Sequence, residues 1–332
     1  MKLLTIALAS TVFAGMCMAA DLPGWAYGYA VSGPPQAPAP PAAAAANPPA
    51  PDMSMKSVPG ATGQFTRTQI ADRYGPADWF PTEHSTMPDV VAHGKKPEVW
   101  ACGLCHYPNG KGRPENASVN GYPVAYFIQQ MNDFKNGNRK SSDPRKNNTN
   151  LMIQFGKNMT DEEIKAAAEY FAAIPYTPWI KVEETAMVPK TRIQGGMFLA
   201  LEGDPTKGEK EPIGKRIIET PVNAEATEVL RDPHSSFIAY VPLGSLKKGA
   251  ALVTKANAKT TQCAVCHGAD LKGLGPVPGL AGRSPSYIVR QMFDMQQGMR
   301  KGPWTQLMKS VVANLTEDDL VSIAAYTASL KP

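Results

Sequence analysis

The sequence predicts a mainly α-helical protein made of two copies of one small domain. A long irregular connector with some β-structure joins the copies, and a disordered, Pro/Ala-rich segment precedes them. Three observations lead there. The motif Cys-x-x-Cys-His occurs twice, at Cys102–His106 and Cys263–His267. The residues after each motif repeat in register. Each repeat then closes on a capped helical pattern with one apolar stripe.

The register is specific. Tyr126 pairs with Tyr287, Gln130-Met131 with Gln291-Met292, Asp133 with Asp294, Gly137 with Gly298 and Arg139 with Arg300, all at the offset of 161 positions that separates Cys102 from Cys263. Farther on, Met152 pairs with Met308, Thr160 with Thr316 and Tyr170 with Tyr326, at an offset of 156. The first copy therefore carries five more residues, the difference of the two offsets, between Arg139 and Met152. An insertion confined to one loop, with both flanks in register, marks two copies of one fold.

Residues 1–20 read as a signal peptide: Lys2 is the positive end, Leu3–Val12 the apolar run, Ala19-Ala20 the small-residue cleavage region. Cys17 follows the large Met16, which argues against lipidation. No other stretch is long and apolar enough to cross a bilayer. Residues 21–65, rich in Pro and Ala, read as a low-complexity linker. The first domain is expected over 66–176, the connector over 177–241 and the second domain over 242–332. Within the first, a short helix is expected from Arg67 to Tyr74, a helix from Val124 to Asn136, a polar loop over Arg139–Asn150 and a last helix over Thr160–Ile174. Thr160 with Glu163 forms a capping box there. Ile164, Ala167, Ala168 and Phe171 supply the stripe. The connector shows strand-like pieces at Arg216–Glu219 and Phe237–Val241. Ser245–Lys255 reads as the opening helix of the second domain. In the first, Gly94 and Pro97 interrupt the matching stretch.

The repeated motif is the attachment pattern of a c-type haem. Thiols three positions apart share a face of a helical turn, where they can bond two neighbouring vinyl groups of a flat macrocycle. The adjacent histidine is then carried under the iron. A zinc site would need both Cys pairs together or a further Cys/His cluster nearby. A redox dithiol would need a βαβ context. Neither is readable. Of five cysteines, four lie in the motifs, so no disulfide framework remains. The net charge of +5 is a mild excess without the Lys/Arg and aromatic clustering of a nucleic-acid binder.

Each half resembles a class I cytochrome c: haem motif, middle helix, methionine loop, C-terminal helix. The tandem is similar to the dihaem cytochrome c4-like proteins of bacterial periplasms. Pro278-Gly279-Leu280-Ala281-Gly282 followed by Tyr287, and Leu315-Thr316-Glu317-Asp318-Asp319-Leu320 ending in Ala325-Tyr326, carry that likeness. The first half departs from it, with Ala117-Ser118-Val119-Asn120-Gly121 in place of the first phrase, and so does the long connector.

The resemblance implies two covalently bound haem c groups. Cys102, Cys105 and His106 would hold one, and Cys263, Cys266 and His267 the other. Met152 and Met308 stand at the family's second axial position, with Met159, Met295 and Met299 as rivals and Met131 and Met292 as core residues. A carbonyl, Pro276 in the second half and Pro114 in the first, is expected to orient each histidine. His84, His93 and His234 read as satisfied or solvated. Arg139-Lys140 and Arg145-Lys146 could steer an acidic partner or simply be solvated.

The resemblance further implies a periplasmic electron-transfer protein and not an enzyme. A periplasmic dehydrogenase would be its donor, and an oxidase or respiratory complex its acceptor, with membrane-complex association possible and no nucleic acid. Two alternatives stand beside it: a dihaem cytochrome c peroxidase-like enzyme, and a cytochrome subunit of a periplasmic dehydrogenase complex.

Overall fold

The structure, a computed structural model, describes residues 22–29 and 52–332. The expected signal peptide and the most Pro/Ala-rich part of the linker lie outside the described residues.

Two helical halves flank a connector with its own small sheet. In the first half the motif forms the short helix Cys102–His106. The middle helix Val124–Lys135, a helix Asn147–Asn158 and the last helix Asp161–Ala173 follow. The second half repeats the order with Ala264–His267, Pro285–Gln296, Thr305–Val312 and Glu317–Ser329, opened by the helix Ser245–Thr254. The opening helix of the first half is a single turn, Asp89–Ala92, in keeping with Gly94 and Pro97 just beyond it.

Both last helices begin with the expected capping box. Thr160 accepts from the Glu163 amide and Thr316 from the Asp319 amide, and each acidic side chain bonds back to its threonine's amide. Three acidic residues in each first turn complement the positive helix end. In the first half Ile164, Ala167, Phe171 and Tyr170 turn inward onto Tyr126, Met131, Phe134 and Phe155. The second half builds its core from the equivalent elements, with Tyr287, Met292, Phe293, Leu320 and Ala324 buried together.

Two expectations are corrected. The polar stretch expected as a loop turns helical from Asn147, and the methionine loop of the second half is helix Thr305–Val312. Phe155 and Met159 explain the first case. They sit four apart on one face and are buried against the middle helix, so tertiary packing overrides the poor helix propensity of the Asn run. The second correction concerns residues 21–65. Gly24–Tyr27 forms a 3-10 turn whose Trp25, Ala26 and Tyr27 are buried in the core of the second half. Val58 is buried with Ile70 and Trp79 in a separate small cluster.

The connector contains more β-structure than expected. Ile180–Glu184 runs parallel to Phe237–Val241, which pairs antiparallel with Ile218–Pro221. A hairpin, Thr191–Gln194 with Met197–Ala200, projects from this region with Gly195 and Gly196 at its tip. The only helix of the connector among the described residues, Ala224–Glu228, leads into Arg231.

The halves meet across an approximate two-fold axis. Lys140 N donates to Met299 O at 2.8 Å and, 161 positions on, Lys301 N donates to Asn138 O at 2.8 Å. The Gln130 side-chain oxygen accepts from Arg139 (3.0 Å) and Arg300 (2.7 Å). The Gln291 oxygen likewise accepts from Arg139 (3.0 Å) and Arg300 (3.1 Å). Arg283 reaches from the second half to the carbonyls of Ser118 and Asn120 and stacks 3.7 Å over Tyr122. Buried guanidinium groups satisfied in this way fix the docking of one half on the other.

Candidate haem sites

In the first half the motif helix turns the Cys102 and Cys105 side chains and the His106 ring toward one cavity of about 360 Å³. Val99, Leu104, Val119, Phe134, Phe155 and Phe171 supply apolar wall. Met131, Met152 and Met159 line it as well. The His106 Nδ1 lies 2.8 Å from the Ala117 carbonyl oxygen, which fixes the ring and leaves Nε2 free toward the cavity. Burial holds the imidazole below its ordinary pKa, against the Ala117 hydrogen bond, so the ring is a neutral donor.

The second half repeats this geometry. His267 Nδ1 lies 2.8 Å from the Pro278 carbonyl oxygen. Each carbonyl is 11 residues after its histidine. The expected Pro114 and Pro276 are thus replaced by Ala117 and Pro278. The reason is local. Gly273–Leu274 pairs with Val277–Pro278, so Pro276 stands in the turn between two strands while Pro278 lies on the returning strand. Cys263 and Met308 are partly buried against the core of this half. Met292 is buried in that core, as expected, Met295, one of the rivals for the ligand position, is buried there too, and Met299 is exposed.

Burial pushes the Cys102 thiol up to about 12 and Cys263 up to about 11, and raises Cys105 too. Such thiols stay protonated at neutral pH while they are unbonded. Among the described residues no group of three or more His, Cys, Asp or Glu is placed to hold a metal ion. A cavity of cofactor size, walled by aromatic and aliphatic side chains and bearing two thiols, an oriented imidazole and thioethers, fits a flat macrocycle held covalently.

Some site residues had no signal in the sequence. Gly195 and Arg231 of the connector line the first cavity, as do Tyr287, Arg290, Gln291 and Asp294 of the second half. Tyr287, Gln291 and Asp294 matched first-half counterparts in the repeat and Arg290 stands beside them, so the register singled out that region without saying that it crosses to the other half. His84 is held by Asp78 and His234 by Glu83, which satisfies both away from the sites.

The cytochrome c family model matches residues 91–174, the span that holds the first motif, most of its cavity wall and its last helix. A cytochrome c-554(548) from Halomonas halodenitrificans is 38% identical over 72 residues, covering 21% of this chain and 87% of that protein. The chain belongs to the cytochrome c family. As a cytochrome c it carries covalently attached haem c and binds iron through it. The duplicated motif fits two such groups. A cytochrome c4 from Pseudomonas aeruginosa is 38% identical over 98 residues, so this cytochrome spans 47% of that relative and the match covers 29% of the present chain. A thiosulfate dehydrogenase electron acceptor from Stutzerimonas stutzeri is 23% identical over 240 residues, covering 71% of this chain and 82% of that one.

Proposed function

We propose that this protein is a periplasmic dihaem cytochrome c that passes single electrons between redox proteins. Cys102, Cys105 and His106 hold one haem and Cys263, Cys266 and His267 the other, with Met152 and Met308 as the second axial ligands. The observation that carries this reading is the repeated histidine geometry: both Nδ1 atoms meet a carbonyl oxygen at 2.8 Å, 11 residues downstream. Two histidines oriented alike suit a relay. A peroxidase needs one site left open, and the matched Met152 and Met308 of the repeat favour the relay over it.

Bound haem supplies a one-electron couple, its potential set by ligands, hydrogen bonds and burial. The chain's own residues do the rest. Ala117 and Pro278 orient the imidazoles. The aromatic walls exclude water from the first site. The Arg139, Arg300, Gln130 and Gln291 network keeps the two halves at fixed separation, so little needs to move when charge moves. Signal-peptide export brings the chain to the compartment where haem attachment occurs.

The relative named as an electron acceptor of thiosulfate dehydrogenase supports a periplasmic dehydrogenase as the donor and favours the second reading, a cytochrome subunit held in such a complex. A respiratory oxidase or complex would be the acceptor. Among the described residues no helix is long and apolar enough to cross a membrane. The deciding experiment combines a haem count with the near-infrared spectrum of the ferric protein. Two haems with two methionine-to-iron bands' worth of intensity are expected. One high-spin haem with peroxide turnover would replace the relay with the peroxidase.

A further inference from the structure

The two attachment turns are equivalent in the repeat but not in their surroundings. Leu104 and Val265 occupy the same repeat position, yet Leu104 is 7% exposed and Val265 64%. The connector makes the difference. The Arg231 guanidinium donates to the Leu104 carbonyl and lies 5.6 Å over the Tyr107 ring. Arg231 and the hairpin-tip Gly195 also form part of the cavity wall.

Arg231 brings a full charge to this wall, because a guanidinium keeps its proton under all ordinary conditions. Of the other cations on this wall, Lys140 has a repeat counterpart in Lys301, Arg290 and Lys146 stand there bonded to the carbonyls of Ala26, Pro114 and Tyr27, and Arg113 is bonded to Glu115 at 2.6 Å, so that pair adds no net charge. Its repeat counterparts are Leu274 and Pro276. Arg139 and Arg300 are counterparts of each other and cancel from the comparison. Arg231 instead donates to a carbonyl, a neutral partner, and its charge is left to act on the site.

We propose that Arg231 is a positioning residue of the first site: it seals the attachment turn and fixes one positive charge beside it, so that the first site holds an electron more tightly than the second. The proposal rests on the dihaem reading above. Reduction makes a site one unit more negative, and a nearby cation under a water-excluding cover stabilises that state. In the half-reduced protein the electron then resides mainly at the first site.

Full-length, haem-loaded protein tests this by equilibrium redox titration and by hydrogen exchange of residues 102–107 and 263–268. Two one-electron waves are expected. Arg231→Met lowers the upper midpoint, leaves the lower one in place and speeds exchange of residues 102–107 only. Arg231→Lys keeps the upper midpoint near wild type. Arg231→Gln retains a donor but no charge, so it lowers the upper midpoint with little change in exchange. It also carries the test if the methionine variant fails to load haem. An upper midpoint unmoved in Arg231→Gln, or a shift of the lower wave instead, overturns the proposal. A haem count of one per chain would overturn the two-site reading. The effect of Arg231→Gln on that one midpoint would then still show whether the charge acts.

Discussion

Three methionines line the first cavity, and of these Met152 and Met159 lie outside the middle helix and are the candidates for a soft neutral ligand beside His106. Their placement differs. Met159 is buried in the apolar cluster with Phe155 and Phe171, whereas Met152 is only partly buried at its edge and is the one with a repeat partner, Met308. Met152→Leu is therefore expected to remove about half of the near-infrared methionine-to-iron intensity of the ferric protein, and Met159→Leu to leave it intact while lowering stability. Thermal unfolding beside the spectrum checks both. At this scale the cysteines and histidines were legible because their chemistry demands a fixed spacing. The orienting carbonyls were missed by two and three residues, because the strand pairing that presents Pro278 is a matter of hydrogen-bond register and leaves little trace in residue type.

Among the elements, the crossing of helix Ser245–Thr254 with helix Glu317–Ser329 is the tightest. A Cβ at Gly249 would collide with the Ser322 carbonyl and the Cβ of Tyr326. Gly249→Ala should cost about 1–3 kcal/mol, as overpacked cores do, and lower the unfolding temperature of the second half in calorimetry. The same helix pair sets an acid limit. Burial acts to raise the Asp319 pKa, but hydrogen bonds from Lys248, Lys259 and the Thr316 cap prevail and hold it well below the carboxylate range. A depressed folded-state pKa means that this stabilisation is complete above the unfolded value of about 4 and fades as pH falls below it. Wild type should lose stability below about pH 4 more steeply than Asp319→Asn, which denaturant midpoints measured from pH 7 to pH 3 will show. Capping boxes and apolar stripes were legible because they are local. The helix at Asn147 was not, because four polar residues begin it and only distant aromatic contacts stabilise it.

At the scale of the whole molecule, residues 22–29 act as a strap. Tyr27 donates to Asp294 at 2.7 Å, Arg290 donates to the Ala26 carbonyl at 2.7 Å, and Lys146 of the first half donates to the Tyr27 carbonyl at 3.2 Å. The strap thus touches both halves and fills core space with Trp25. Trp25→Ala should cost about 3–5 kcal/mol and, by loosening the strap, split one calorimetric transition into two, one for each half. A single cooperative transition in that variant would mean that the Arg–Gln network alone couples the halves. None of this was legible, since three aromatic residues ahead of a Pro/Ala run carry no helical or strand pattern that points to a partner. The connector was read only in part for a similar reason. Its strands are three to five residues long and pair across distant sequence, so their partners are set by topology.

The approximate two-fold between the halves has a consequence for what came before this chain. Arg139 faces Arg300, Gln130 faces Gln291, and the backbone exchange at Asn138–Lys140 is returned at Met299–Lys301. Self-complementary pairing of like with like is how two separate, identical molecules associate. A single-haem ancestor could have made this contact as a homodimer, at the mercy of its own concentration. Joining the two halves in one chain turns that encounter into an intramolecular one, and it frees the two descendants to diverge.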